Sequence, residues 1–224
     1  MCQLKSGIIL KNRVFVPEYD SHTQMLEELG IKDDYFNASK TFVRVELSPT
    51  DGDVFSDIDT WKLSVDQDIT PEWYDEDRYK PQVVEAVKEW AKDHIHIGVD
   101  DLKISTGRNH YIKDCKGVDI RDSATVEYIR GSATVKNICD SATVNNIYGD
   151  ATVNNIYGGA TVNNICDSAT VKNAKGLSVV ISSQCGWGKK DTLILSENAT
   201  FKDCQTKTIY QSGDWKLINV TEEK

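Results

Sequence analysis

Ser141-Ala142-Thr143-Val144-Asn145-Asn146-Ile147-Tyr148-Gly149 is followed at once by Asp150-Ala151-Thr152-Val153-Asn154-Asn155-Ile156-Tyr157-Gly158, the same nonapeptide with one change. The Thr of this motif recurs at Thr125, Thr134, Thr143, Thr152, Thr161 and Thr170 without a slipped residue, and the consensus S-A-T-V-x-N-I-x-[D/G] is clearest from Ser123 to Gly176. So short a fixed period marks a parallel β-solenoid, because one nonapeptide cannot bury its apolar face alone and must lay it on the next. Ala and Val flank Thr at strand parity, so they share the inward face and Thr points outward. Ile stands three residues after Val, the wrong parity for one straight strand, and a bend is expected between them. Asn137, Asn146, Asn155, Asn164 and Asn173 would occupy it, since Asn tolerates left-handed backbone and its amides can bond along a ladder. The Asp or Gly at position nine supplies a second corner. Each nonapeptide is then one side of a coil. The small inward side chains favour two sides, about 18 residues per coil; three sides, about 27 residues, would instead stack Cys139 over Cys166.

Outward from the repeat the pattern degrades. Ile120-Arg121-Asp122 keeps the register as a first coil, and the stretch from Asn198 to Cys204 echoes the motif out of register. Open coil ends expose unpaired backbone, so caps are expected: the N-terminal region at one end, and an irregular tail with Trp187, Tyr210 and Trp215 at the other.

The first hundred residues read as α+β. Residues 3–10 and 13–17 form an apolar hairpin around Lys11-Asn12, and Ser21 with Gln24 makes a capping box for a short helix closed by Gly30. Phe42 to Leu47 and Trp61 to Val65 alternate as half-buried antiparallel strands. Pro81 is expected to start a helix whose Val83, Val84, Val87, Trp90 and Ala91 share one face. A strand from His94 to Val99 leads into the repeats. The expected organisation is an acidic α+β domain over 1–105 and a β-solenoid with C-terminal cap over 106–224.

Charge divides just as sharply. Residues 1–112 hold 22 Asp and Glu against 13 Lys and Arg, whereas 113–224 hold 13 of each. Glu46 to Asp77 carries eleven acids and one base, Lys62. Such a chain repels phosphate, so direct nucleic-acid binding is not expected and a basic protein partner is. No apolar run approaches the roughly 20 residues of a membrane span, and Gly7 to Leu10 is too short for a signal peptide, which predicts a cytoplasmic protein without membrane contact. The six cysteines form no C-x-x-C pair and read as reduced packing residues.

Chemistry-bearing patterns are few. Removal of Met1 would make Cys2 an N-terminal nucleophile with its own α-amine as base, as in amidohydrolases of that kind. Asp51/Asp53, Asp57/Asp59 and Asp66/Asp68 are paired acids that could meet a hard cation. His94 and His96 share strand parity, with His110 as a third zinc ligand. Yet none has a full ligand spacing, so no metal and no cofactor are expected. The run from Cys185 to Lys190 looks like a phosphate loop without its spacing and reads as a turn plugged by Trp187. Trp73 and Tyr74, set among Asp66, Asp68, Asp75 and Asp77, form the candidate partner-binding patch.

The G-G-x-G-x-D residues of calcium-binding nonapeptide rolls are absent. The opening Met1 to Ser6, the run Phe42 to Leu47, and the stretch from Trp61 to Tyr74 containing VDQDITPEWY resemble a group of proteins encoded by phages, prophages and gut bacteria, several of which append similar repeats. The resemblance implies a mobile-element setting and transfers no catalytic residue. Together these readings predict a non-enzymatic binding or scaffold protein. Its acidic domain would engage a basic host protein, and its solenoid would be a rigid spacer or self-association surface, with a Cys2 amidohydrolase as the alternative.

Overall fold

The nine-residue period becomes one side of a two-sided coil. The computed structural model describes residues 4–182, 187 and 193–213, which divide into two units, 1–95 and 96–224.

In the second unit, one sheet stacks β6 (Lys103–Ile104), β8 (Lys116–Ile120), β10 (Thr134–Ile138), β12 (Thr152–Ile156), β14 (Thr170–Ala174) and β16 (Ile194–Leu195) in that order. The other stacks β5 (Ile95–Ile97), β7 (His110–Lys113), β9 (Thr125–Arg130), β11 (Thr143–Ile147), β13 (Thr161–Val162), β15 (Val179–Ser182), β17 (Thr200–Asp203) and β18 (Thr208–Gln211). Thr134 pairs with Thr152 and Thr152 with Thr170, so like residues meet 18 apart and successive nonapeptides alternate between sheets. Six parallel strands in one sheet, at about 4.8 Å per step, make a stack roughly 24 Å high.

Ala142, Val144 and Ile147 are fully buried, as are their equivalents in neighbouring repeats, whereas each repeat Thr is half-buried. The inward and outward assignment therefore holds. The bend is different from expectation. Asn137, Asn146, Asn155 and Asn173 lie within strands, and none of the five repeat Asn has positive φ. Left-handed backbone falls instead at Asp122, Gly131, Asp140, Gly149, Gly158, Asp167 and Gly176, one per nonapeptide. Within the repeat, left-handed backbone is confined to position nine, while Val and Ile, three apart, both stay buried, so the parity break between them is made without it. Gly is required where coils stack tightly, since a Cβ on Gly158 would stand 3.0 Å from the Asp140 amide nitrogen. The Asn positions are explained by their amides. Asn173 Nδ2 donates to Asn155 Oδ1 at 3.3 Å, Asn155 to Asn137 at 3.2 Å, and Asn137 to Asp119 Oδ1 at 2.7 Å.

The solenoid also begins earlier than the repeat shows. Strands β6, β7 and β8 already pair in parallel with strands a coil away, with Ile104, Ile112, Val118 and Ile120 buried although the motif around them is lost. This places the division after Ile95 rather than after residue 105. Beyond the clear repeats, Val179 pairs with Thr200 and Asn173 with Ile194, each 21 residues on, so the echo at Asn198 to Cys204 is a coil lengthened by three. At this end β18 turns back antiparallel on β17, Phe201 stacks on Tyr210 at 5.6 Å, and buried Trp187 donates Nε1–H to Ala169 O at 2.6 Å. Trp215 lies outside the described residues.

The first unit holds a four-stranded antiparallel sheet in the order β2 (Arg13–Phe15), β1 (Lys5–Leu10), β3 (Phe42–Ser48), β4 (Lys62–Val65). Its helices are α1 (His22–Glu28), α2 (Tyr35–Ala38) and α3 (Glu76–His94). Ser21 caps α1, its Oγ accepting from Gln24 N at 3.3 Å, and Gly30 follows with φ +67. Helix α3 starts a turn before Pro81. Asp75 caps it by accepting from Asp77 N and Arg78 N, and Glu76 and Asp77 complement the helix dipole, which pins an extra turn ahead of the proline. The strand β3 is buried on both faces rather than one. Phe42 and Ile8 join Met25 and Leu26 of α1, while Val83, Val87 and Trp90 of α3 are also buried.

Candidate functional site

Alternation along β3 puts Arg44 and Glu46 on one face and Val43, Val45 and Leu47 on the other. Register extends the polar face sideways: Ser6 lies opposite Glu46 on β1, Ser64 opposite Glu46 on β4, and Asp66 N donates to Arg44 O just past β4. Helix α1 is anchored on this face by Met25 and Leu26, which brings its first residue, His22, over the polar end. His22 Nδ1 stands 3.1 Å from Asp66 Oδ2, and Nε2 stands 3.1 Å from Val45 O. Ligand atoms of His22, Glu46 and Asp66 all lie within 4.8 Å of one another. Glu46 is buried, His22 half-buried and Asp66 exposed, so the group opens to solvent on its Asp66 side.

A cleft lies beside this cluster, lined by Tyr19, Ser21, His22, Asp33, Arg44 and Asp66. Arg44 is ion-paired to Asp33 across it. The neighbouring cleft shares Asp33, Arg44 and Asp66 and adds Asp34, Gln67 and Asp68. Asp34 is held below the usual carboxylate range, chiefly because it accepts the Asn37 backbone N–H as the cap of α2.

The structure distributes the sequence-derived patch. Asp66 and Asp68 line the Arg44 cleft, whereas Asp77 lines a separate groove with Asp59, Lys80 and Lys88, and Asp75 is a helix cap. Trp73 and Tyr74 are half-buried: Trp73 Nε1 donates to Lys40 O at 2.7 Å, and Tyr74 stacks on Tyr79 at 6.1 Å. Burial, with help from Glu76 and Asp75, pushes the Tyr74 hydroxyl up to about 12. The other paired acids serve turns. Asp51 accepts from Asp53 N, Asp53 from Phe55 N and Asp57 from Asp59 N. His94 ends α3 with Nδ1 2.9 Å from Trp90 O and Nε2 3.1 Å from Glu18, while the His96 and His110 rings stack at 5.8 Å. Among the described residues, the three do not form a metal-ligating group.

The expectation of six reduced cysteines is corrected at Cys166, which is disulfide-bonded; Cys115, Cys139 and Cys204 are free. Burial pushes the Cys115 and Cys139 thiols up, away from reactivity. Cys2 and the run Cys185 to Lys190, apart from Trp187, lie outside the described residues. Among those described, no helix is long and apolar enough to cross a membrane.

The His22 cluster was missed in the sequence because its members are 24 and 20 residues apart on three different elements. The available signal was Glu46 in step with Arg44 on an otherwise apolar strand. On a half-buried strand such a pair falls on the solvent side, and nothing local says that α1 folds over it. Comparison with protein-family models, with curated proteins and with solved structures found no match.

Proposed function

We propose that this is a non-enzymatic binding protein whose segment 46–77 engages a basic protein partner and whose solenoid is a stiff spacer or self-association surface. The observation that carries the reading is the exposure of nine of the eleven acids in that segment, which contains one lysine. A surface so biased speeds encounter with a positive partner and repels nucleic acid. The solenoid supports the spacer role, because nearest-neighbour stacking of parallel coils gives a rod whose length scales with coil number. A mobile-element setting makes a host protein the partner class.

The test is retention of proteins from an extract of the native cell on the immobilised chain, compared with a variant carrying Asp68→Asn, Glu72→Gln, Glu76→Gln and Asp77→Asn. These changes spare the caps Asp57 and Asp75 and the ion-paired Asp59. A basic protein retained by the native chain, lost by the variant and released by salt is expected. Identical retention by both chains would refute the reading.

A further inference from the structure

We propose that His22, Glu46 and Asp66 bind a divalent first-row metal cation of the zinc type, a site that draws Glu46 and Asp66 from the acidic segment but whose metal binding does not require a protein partner. The first argument is an accounting of donors. Val45 O can only accept, so the Nε2 facing it at 3.1 Å carries the ring proton. Nδ1 faces Asp66 Oδ2, another acceptor, at 3.1 Å. A neutral imidazole has one N–H and cannot serve both, so Nδ1 and the carboxylate must share a positive charge, either a second ring proton or a bound cation. A cation between Nδ1 and the carboxylate satisfies both lone pairs, and a ring N–H given to a backbone carbonyl is the usual way a metal-ligating His is oriented.

The second argument comes from Ser6. It is 1 % exposed, and its Oγ has no hydrogen-bond partner. It sits directly across from Glu46 on the same face of the sheet. A buried hydroxyl left unpaired is costly, and water held on a metal at this position would supply its partner.

Charge and ligand type agree. The two carboxylates of the group carry two negative charges, which a divalent cation matches. One nitrogen among three ligands favours zinc-type ions over calcium or magnesium, which take oxygen ligands. The 4.8 Å spread must contract, because ligands on an ion at about 2.0–2.2 Å stand roughly 3.3–3.6 Å apart. His22 Nδ1 and Asp66 Oδ2, at 3.1 Å, need only part slightly to reach that separation. Three protein ligands leave a coordination position open toward the cleft of Tyr19, Asp33 and Arg44.

The test is calorimetric titration of the untagged, chelator-stripped full chain with zinc chloride, alongside Asp66→Asn, His22→Gln and the control Asp68→Asn. One equivalent bound by the native chain and the control is expected, with affinity at least about ten-fold weaker in the other two variants. Asp66 is exposed, so Asp66→Asn keeps the fold and its circular dichroism should match the native chain. Nitrogen chemical shifts of His22 should report a metal-bound Nδ1 with Nε2 still protonated. Absence of uptake, uptake unchanged by Asp66→Asn and His22→Gln, or a preference for calcium over zinc would each overturn the proposal.

Discussion

The two units bury polar side chains by opposite means. In the solenoid, Asn amides pass the hydrogen bond from coil to coil, so Asn155 both donates to Asn137 and accepts from Asn173, and the ladder ends on Asp119. In the first unit the corresponding task falls on single residues. Gln67 accepts from Arg44 N at 2.8 Å and places its Nε2 within 2.6–3.3 Å of the carbonyls of Ile69, Phe42 and Ala38. Lys5 is buried with Nζ on Asp20 Oδ1 at 2.8 Å and over the Trp90 ring at 5.1 Å. Repetition spreads a constraint over many equivalent bonds and enforces register; a single-copy fold concentrates it at a few positions. Damage should therefore be graded differently in the two.

The largest effect is expected from shifting the register of the repeat. Deleting Ser132 to Gly149 removes one whole coil and should leave a cooperatively melting, shorter protein. Deleting Ser132 to Lys136 takes five residues out of one side, throws every later Ala, Val and Ile out of step with the coil it stacks on, and should abolish the native melt. Circular dichroism and thermal melting of the native chain and the two deletions check this, and an unchanged cooperative melt for the five-residue deletion would refute the stacked register.

Next comes a contrast between adjacent residues. Val144→Asp places a carboxylate at a fully buried position and should cost several kcal/mol, of order 4 or more, whereas Thr143→Asp should stay within about 1 kcal/mol. Urea denaturation separates the two, and equal losses would contradict the facing of the strand.

A smaller difference sharpens the comparison itself. Gln67→Ala leaves an amide and several carbonyls without their partner and should destabilise by about 2–3 kcal/mol, while Asn155→Ala breaks two links of a longer ladder and should cost about 1 kcal/mol. If the Asn substitution were the more damaging, the ladder would be a concentrated constraint and not a distributed one.

This contrast also explains what could be read from the chain. Thr125 to Thr170 announced a coil because each unit solves the same burial problem, so the inward set of Ala, Val and Ile repeats with the structure. Left-handed corners were legible at position nine but not confined to it, since Asn is compatible with that geometry and only backbone angles show it unused here. Coils between residues 95 and 122 were invisible, because parallel pairing needs buried Ile104, Ile112 and Val118 but not the motif around them. The His22, Glu46 and Asp66 cluster depends on α1 crossing β3, a tertiary event with no local period. Only Asp66 among the three was singled out, and for its neighbours in sequence instead of its neighbours in space.

The last prediction concerns two carboxylates held low for different reasons. Asp114 Oδ1 accepts from Ser132 N at 2.7 Å and Ser132 Oγ at 3.0 Å, one coil away, and these bonds hold it below the usual carboxylate range. Asp34 is held low chiefly by Asn37 N, three residues away within its own helix turn. A depressed folded pKa contributes stability that is present above the unfolded value of about 3.9 and lost as pH falls through the folded value. The melting-temperature gap between the native chain and Asp114→Asn should therefore be constant near neutrality and close below about pH 4. Carboxyl carbon NMR titration then distinguishes the two sources. In Ser132→Pro, which removes both the amide N–H and the hydroxyl that face it, Asp114 should return to the ordinary range, while Asp34, capped locally, should keep its low value. Loss of both shifts together would mean that the two units unfold as one, and retention of both would mean that Asp114 does not depend on the stacked coil.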